Sequence, residues 1–205
     1  MPKSLTPKPA GRGRPEMSSA QREEMKLRIS QAAKALFQEQ GYAKISLRRI
    51  AKEIGCTPMT IYGYYPSKFD ILRTLWGDVF KTLFDHLNSI ENDGNPQTRL
   101  QSLCAAYVNF WINNPDYYRL VFMAEGVTQP DVSLFLDNPE IVAKYTLFLQ
   151  ALHHLQPQNE GQDAKAKLDF LLSAMHGVAH NKITISGYDW SSCDAQIGYA
   201  IKGIS

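Results

Sequence analysis

Cysteine is scarce in this 205-residue chain: Cys56, Cys104 and Cys193 are scattered, with no C-x-x-C spacing. That pattern argues against a disulfide framework or a cysteine-built zinc site and suits reduced, structural thiols. Long apolar runs are lacking too. No stretch approaches the eighteen or so apolar residues of a membrane span, and the N-terminus has no apolar signal-peptide core. A cytoplasmic protein with no membrane partner is therefore expected. Equally absent are G-x-S-x-G, G-x-G-x-x-G and P-loop patterns, and no ordered triad stands out. Neither catalysis nor a cofactor is expected.

The composition that remains is ordinary for a globular protein, 44% apolar and 20% charged, in a chain long enough to bury a sizeable core. Its net charge of +2 conceals an uneven split. Residues 1–72 hold 13 Lys and Arg against 6 Asp and Glu, or +7, which leaves 9 against 14, or −5, for residues 73–205. A basic head on an acidic body is the footprint of a module that binds a polyanion.

The head's most telling stretch is residues 46–72, SLRRIAKEIGCTPMTIYGYYPSKFDIL. Leu47, Ile50, Ala51 and Ile54 form one stripe of an amphipathic helix that opens at an N-cap Ser46 and ends at Gly55. Thr57 followed by Pro58 starts a second helix at once, since proline is harmless at the first helical position. Helix, glycine turn and short helix make a helix-turn-helix, whose second helix presents its N-terminal residues to the major groove of double-stranded DNA. Ile61 and Tyr65 pin that helix inward, leaving Pro58, Met59, Thr60, Tyr62 and Tyr64 outward. Thr60 suits a base edge, Met59 a thymine methyl, and the tyrosine hydroxyls phosphates. Ser46, Arg48 and Arg49 open the preceding helix, where docking brings the DNA backbone near, and Thr57 at the start of the second helix joins the DNA-facing set. Ser67 and Asp70 form a capping-box pattern for the next helix, with Lys68 in a first turn that disfavours a cation; an adjacent phosphate would remove that conflict.

The run GCTPMTIYGYYPSKFDIL resembles the DNA-binding signature of the TetR family of bacterial transcriptional regulators. Gly55, Thr57, Thr60, Ile61, Tyr62, Tyr65, Ser67 and Lys68 match its spacing; Phe69 departs from it, standing where an acidic residue is usual. The resemblance implies an all-α fold of about nine helices, with an N-terminal three-helix DNA-binding domain and a C-terminal ligand-sensing and dimerisation domain. It also implies a homodimer joined through the last two helices. Twofold pairing on two half-sites follows independently from DNA geometry, because one recognition helix reads only a few base pairs.

Three segments are expected: a flexible basic arm over 1–17, the helix-turn-helix domain over 18–66 and the sensing domain over 67–205. In the arm, GRGRP resembles an AT-hook core that would send Arg12 and Arg14 into a narrow minor groove; a solvated tail is the alternative. Ser18 and Gln21 cap a first helix carrying Met25, Ile29, Ala33, Leu36 and Phe37 as far as Gly41. Off its stripe lie Arg22, Lys26, Arg28 and Lys34, for phosphates or for a solvated face.

Beyond the head, a long helix runs from Ser67 toward Ile90, residues 91–96 form a loop, and a Gly/Pro-broken stretch lies near 126–131. One helix is expected from Asn138-Pro139, with Val142, Tyr145, Phe148 and Leu152 inward. The last two helices span roughly 162–185 and 191–204. A pocket for a small-molecule effector, apolar and aromatic with a few polar handles, is assigned to Trp76, Tyr107, Trp111, Tyr118, Phe122, Tyr145, Phe148 and His176. Ordinary core is the competing role for each. His176 and His180 stand at i, i+4 as two metal ligands might, but no third ligand accompanies them and no metal is expected.

Overall fold

The computed structural model describes residues 18–136, 139–155 and 162–204. Among the described residues the fold has eleven α-helices, one 3₁₀ turn and no strand, as the all-α expectation required. The arm over 1–17, with Arg12 and Arg14, lies outside the described residues.

Three helices form the head: α1 (Ser19–Gln40), α2 (Leu47–Glu53) and α3 (Pro58–Tyr62). Each begins at a residue whose side chain satisfies a backbone N–H of the first turn. Ser18 Oγ accepts from Gln21 N at 3.2 Å while Gln21 Oε1 accepts from Ser18 N at 3.0 Å, a complete capping box. Ser46 accepts from Arg49 N and Thr57 from Thr60 N. Between α2 and α3 the chain reverses at Gly55, whose φ of 69° is a left-handed conformation that a Cβ would strain. Ile29, Ala33, Ile50, Ala51 and Ile61 close over one another with essentially no exposure.

The body contains α4 (Lys68–Asn88), α5 (Pro96–Asn113), α6 (Pro115–Phe122), α7 (Gln129–Leu136), α8 (Pro139–Lys144), α9 (Thr146–Leu155), α10 (Gln162–Thr184) and α11 (Cys193–Gly203). Its centre is α5, which packs on α4, α6, α9, α10 and α11. The apolar stripe of α5, Leu100, Leu103, Cys104, Tyr107, Val108 and Trp111, is fully buried, as a helix face packed against several others requires. Head and body meet where α1 packs on α4 and α6. The expected domain boundary at 66/67 falls in the turn before α4.

Three sequence expectations shift. Pro96, read as the end of a loop, is the first residue of α5, and Asn95 caps it by accepting from Gln97 N and Thr98 N. The single helix expected from 138 is two, α8 and α9, so Val142 points outward with 56% exposure instead of joining the core. The stretch near 126–131, expected to be broken, contains the start of α7, with Thr128 N and Oγ1 both donating to Asp131. These changes raise the helix number above the expected nine.

Candidate DNA-reading surface and aromatic core

The shortest helix of the head carries its most exposed large apolar side chain. In α3, Ile61 is fully buried and holds the helix against α2, while Met59 is 77% and Tyr62 52% exposed. Thr57 Oγ1 and Thr60 Oγ1 lie 2.9 Å apart at the helix start, so both hydroxyls are already oriented. Beside them a groove of about 560 Å³ is lined by Ser46, Leu47, Arg48, Pro58, Met59 and Tyr62. All but Leu47 were assigned to DNA from the sequence. Two rigid helices therefore present apolar, hydroxyl and cationic groups on one face, the mixture that reads thymine methyls, base edges and phosphates.

Cations of the head divide by partner. Arg48 is exposed on the groove, and Arg49, also exposed, pairs with Glu53 at 3.3 Å. Lys26 pairs with Glu23 at 2.9 Å. Arg28 reaches from α1 to the end of α2 and donates to the Ile54 carbonyl at 3.2 Å, a favourable place for a cation. Lys34 turns to the body, 3.2 Å from Tyr117 Oη and 4.5 Å above that ring. Lys68 has a different answer to its helix-start conflict from the one expected. Its ammonium donates to the Tyr42 carbonyl at 2.8 Å and sits 3.9 Å over the Tyr42 ring, half-buried, with desolvation lowering its pKa. One donor is thereby committed to the fold rather than held out for a phosphate. Tyr64, expected outward, is half-buried against the core.

Inside the body, aromatic rings from α4, α5, α6, α9 and α10 meet. Tyr107, fully buried, has its Oη 2.8 Å from His176 Nε2 and its ring edge-on to Trp111 and Phe148. Burial raises the Tyr107 pKa well above the phenol range, with Tyr145 adding to the rise and the nearby Trp111 N–H opposing it. Burial also holds His176 at about 4, so at neutral pH the pair carries no charge. Tyr118 Oη lies 3.3 Å from His180 Nδ1. Trp111 is fully buried, and its indole N–H makes no hydrogen bond of normal geometry. Trp76, also assigned to the pocket, instead ties α4 to α6 by donating to the Leu120 carbonyl at 2.8 Å.

The family model for bacterial regulatory proteins of the tetR family matches residues 29–75, from mid-α1 into α4. Over residues 29–75 the chain carries the regulatory-protein domain of the tetR family. Among relatives, the nucleoid occlusion factor SlmA of Mannheimia succiniciproducens is 28% identical over 112 residues, 52% of this chain and 52% of its own length. The chain thus spans about half the length of the SlmA proteins it first matches. An HTH-type transcriptional regulator of Staphylococcus aureus is 29% identical over 172 residues, covering 80% of this chain and 88% of that one. The flavonoid-responsive regulator FrrA shares the fold with a TM-score of 0.68 at 22% identity, over 89% of this chain and 95% of that one.

The sequence-assigned effector residues Tyr107, Trp111, Tyr118, Phe122 and His176 come together in one cluster, with Tyr145 and Phe148 adjoining it. Trp76 donates to the Leu120 carbonyl of α6 and stands edge-on to Phe69. The i, i+4 histidines of α10 serve two tyrosines, and no group of three metal-binding side chains occurs among the described residues. No helix of the described residues is long and apolar enough to cross a membrane. Unforeseen was a cavity of about 340 Å³ between the end of α1 and α6, walled by Phe37, Tyr42, Leu120 and Met123 among others. Nothing in the sequence brings Tyr42 and Leu120 together; only the docking of head on body does.

Proposed function

We propose that this TetR-family regulator binds a near-palindromic operator as a homodimer and represses transcription until a small apolar or amphipathic effector releases it. The observation that carries the DNA half is the α3 face. Met59 and Tyr62 are large, apolar and exposed, a costly arrangement for an isolated surface, on a helix that Ile61 holds rigidly. Thr57, Pro58, Thr60, Ser46, Arg48 and Arg49 complete the reading surface, with Tyr64 and Lys68 at its margin. Specific affinity from so short a helix needs two copies on successive half-sites. Support for pairing comes from α10 and α11, where Phe170 is 52% and Tyr199 77% exposed. The effector half rests on the uncharged ring cluster beneath α6.

Anisotropy titration against the upstream intergenic DNA and a scrambled duplex, at two salt concentrations, tests the reading. Sequence preference that survives the higher salt is the expected result, with sedimentation giving a dimer. Equal, steeply salt-dependent binding to both duplexes would reduce the head to an electrostatic contact. No binding at either salt would leave a helical interaction module.

A further inference from the structure

We infer that Phe122 is the chain's own stand-in for an effector ring, and that the effector is a neutral aromatic compound bearing an oxygen acceptor for the Trp111 indole N–H. This rests on the effector reading above and gives it a chemical class.

Phe122 is the last residue of α6, 41% exposed. Its ring nevertheless sits among three others: 4.6 Å from His176 at 79°, 5.0 Å from Trp111 at 73° and 4.9 Å from Tyr118 at 48°. A half-exposed ring seated in an aromatic cage is an occupant that can leave. It ends its helix, and swinging it out breaks no polar contact of the cage, since its side chain carries no polar atom. A foreign ring taking its place regains the same edge contacts.

What a foreign ring adds is set by the polar atoms of the cage. Tyr107 Oη is engaged with His176, and Tyr118 Oη with His180. Trp111 Nε1 alone among the cage's side-chain polar atoms is buried without a hydrogen bond of normal geometry; it lies near the Tyr107 hydroxyl, which His176 already engages, so its desolvation is only partly compensated. An indole N–H only donates, so its complement is an acceptor oxygen: a ketone, ester or ether. A cation would meet the positive end of that N–H, and the cage offers no carboxylate to offset it. Neutral and acceptor-bearing is therefore favoured over the quaternary ammonium that aromatic cages otherwise suit.

Because the resident ring must leave first, effector affinity is reduced by the fraction of molecules whose cage is open. Removing the ring should tighten binding, the opposite of deleting a wall. Calorimetric titration of the full chain with acetophenone, ethylbenzene and phenyltrimethylammonium tests this in wild type, Phe122→Ala and Trp111→Phe. Wild type should prefer acetophenone to ethylbenzene by about fivefold, the worth of one neutral hydrogen bond. Phe122→Ala should tighten both by about tenfold if the cage is open a tenth of the time. Trp111→Phe should erase the preference; if that core variant fails to fold, the preference in Phe122→Ala decides the matter. Weaker binding of both neutral probes to Phe122→Ala would make the ring a wall and overturn the stand-in. Equal binding of the neutral pair, or tightest binding of the ammonium, would overturn the acceptor class while leaving an effector site. No binding of any probe to wild type or Phe122→Ala would remove the effector site itself.

Discussion

Head and body solve the same problem, burying apolar helix faces, by different means. In the head, helices are defined at their ends. Ser18, Ser46 and Thr57 each cap the helix that follows within three residues, and Gly55 turns α2 into α3. In the body, helices are defined by what surrounds them. The polar contacts that fix α5 and α6 join Tyr107 to His176 across 69 residues, Tyr118 to His180 across 62, and Trp76 to Leu120 across 44. The head thus spends little core on a rigid outward face, and the body spends its surface on an inward cluster. Stability should respond to the body's rings, and DNA binding to the head's exposed residues.

The largest way to break that division is Tyr107→Ala. It removes a fully buried ring and leaves His176 without its partner, so chemical denaturation should show a loss of about 3–5 kcal/mol. The outer face of α3 shares no contact with Tyr107, so the surviving folded fraction should keep its operator preference. If instead preference is lost while stability holds, the two regions are not separable as described.

A smaller effect should follow pH. The folded state holds His176 at about 4 against 6.5 for the free side chain, because burial disfavours its cation. The folded form therefore binds fewer protons in that window. Its contribution is fully present above about pH 6.5 and is lost as pH falls toward 4, by about 3 kcal/mol at most. Thermal denaturation across pH 4 to 7 should show a slope that His176→Gln flattens; an unchanged slope would put the titrating group elsewhere.

The smallest stability effect sharpens the comparison from the other side. Arg48→Ala removes an exposed side chain and should change stability by less than about 0.5 kcal/mol. It should nevertheless weaken binding to every duplex and lower the salt slope by about 0.9, one phosphate contact's worth. Lys68→Ala is the less clean probe, because it also releases the Tyr42 carbonyl and ring.

Much of the head was legible because its rules are local. A cap, a proline at the first helical position and a glycine turn act within four residues, so Ser46, Gly55, Thr57 and Pro58 could be placed from spacing alone. Inward Ile61 and outward Met59 and Tyr62 followed from the same 3.6-residue period. Lys68 was harder. Its helix-start conflict was visible, but the group that resolves it, the Tyr42 carbonyl, stands 26 residues earlier. Lys34 likewise looked like any cation off an apolar stripe until α6 placed Tyr117 beside it.

By itself, then, the sequence determined the helical class, the helix-turn-helix and its outward residues, and the aromatic stock of the body, because periodicity and capping are properties of neighbouring residues. Tertiary structure alone decided that Trp76 holds a backbone carbonyl, that two histidines read as possible metal ligands each serve a tyrosine, and that Phe122 sits over Trp111. Those outcomes depend on the packing of α4, α5, α6 and α10, and no local rule fixes which side chains meet once distant helices close on one core.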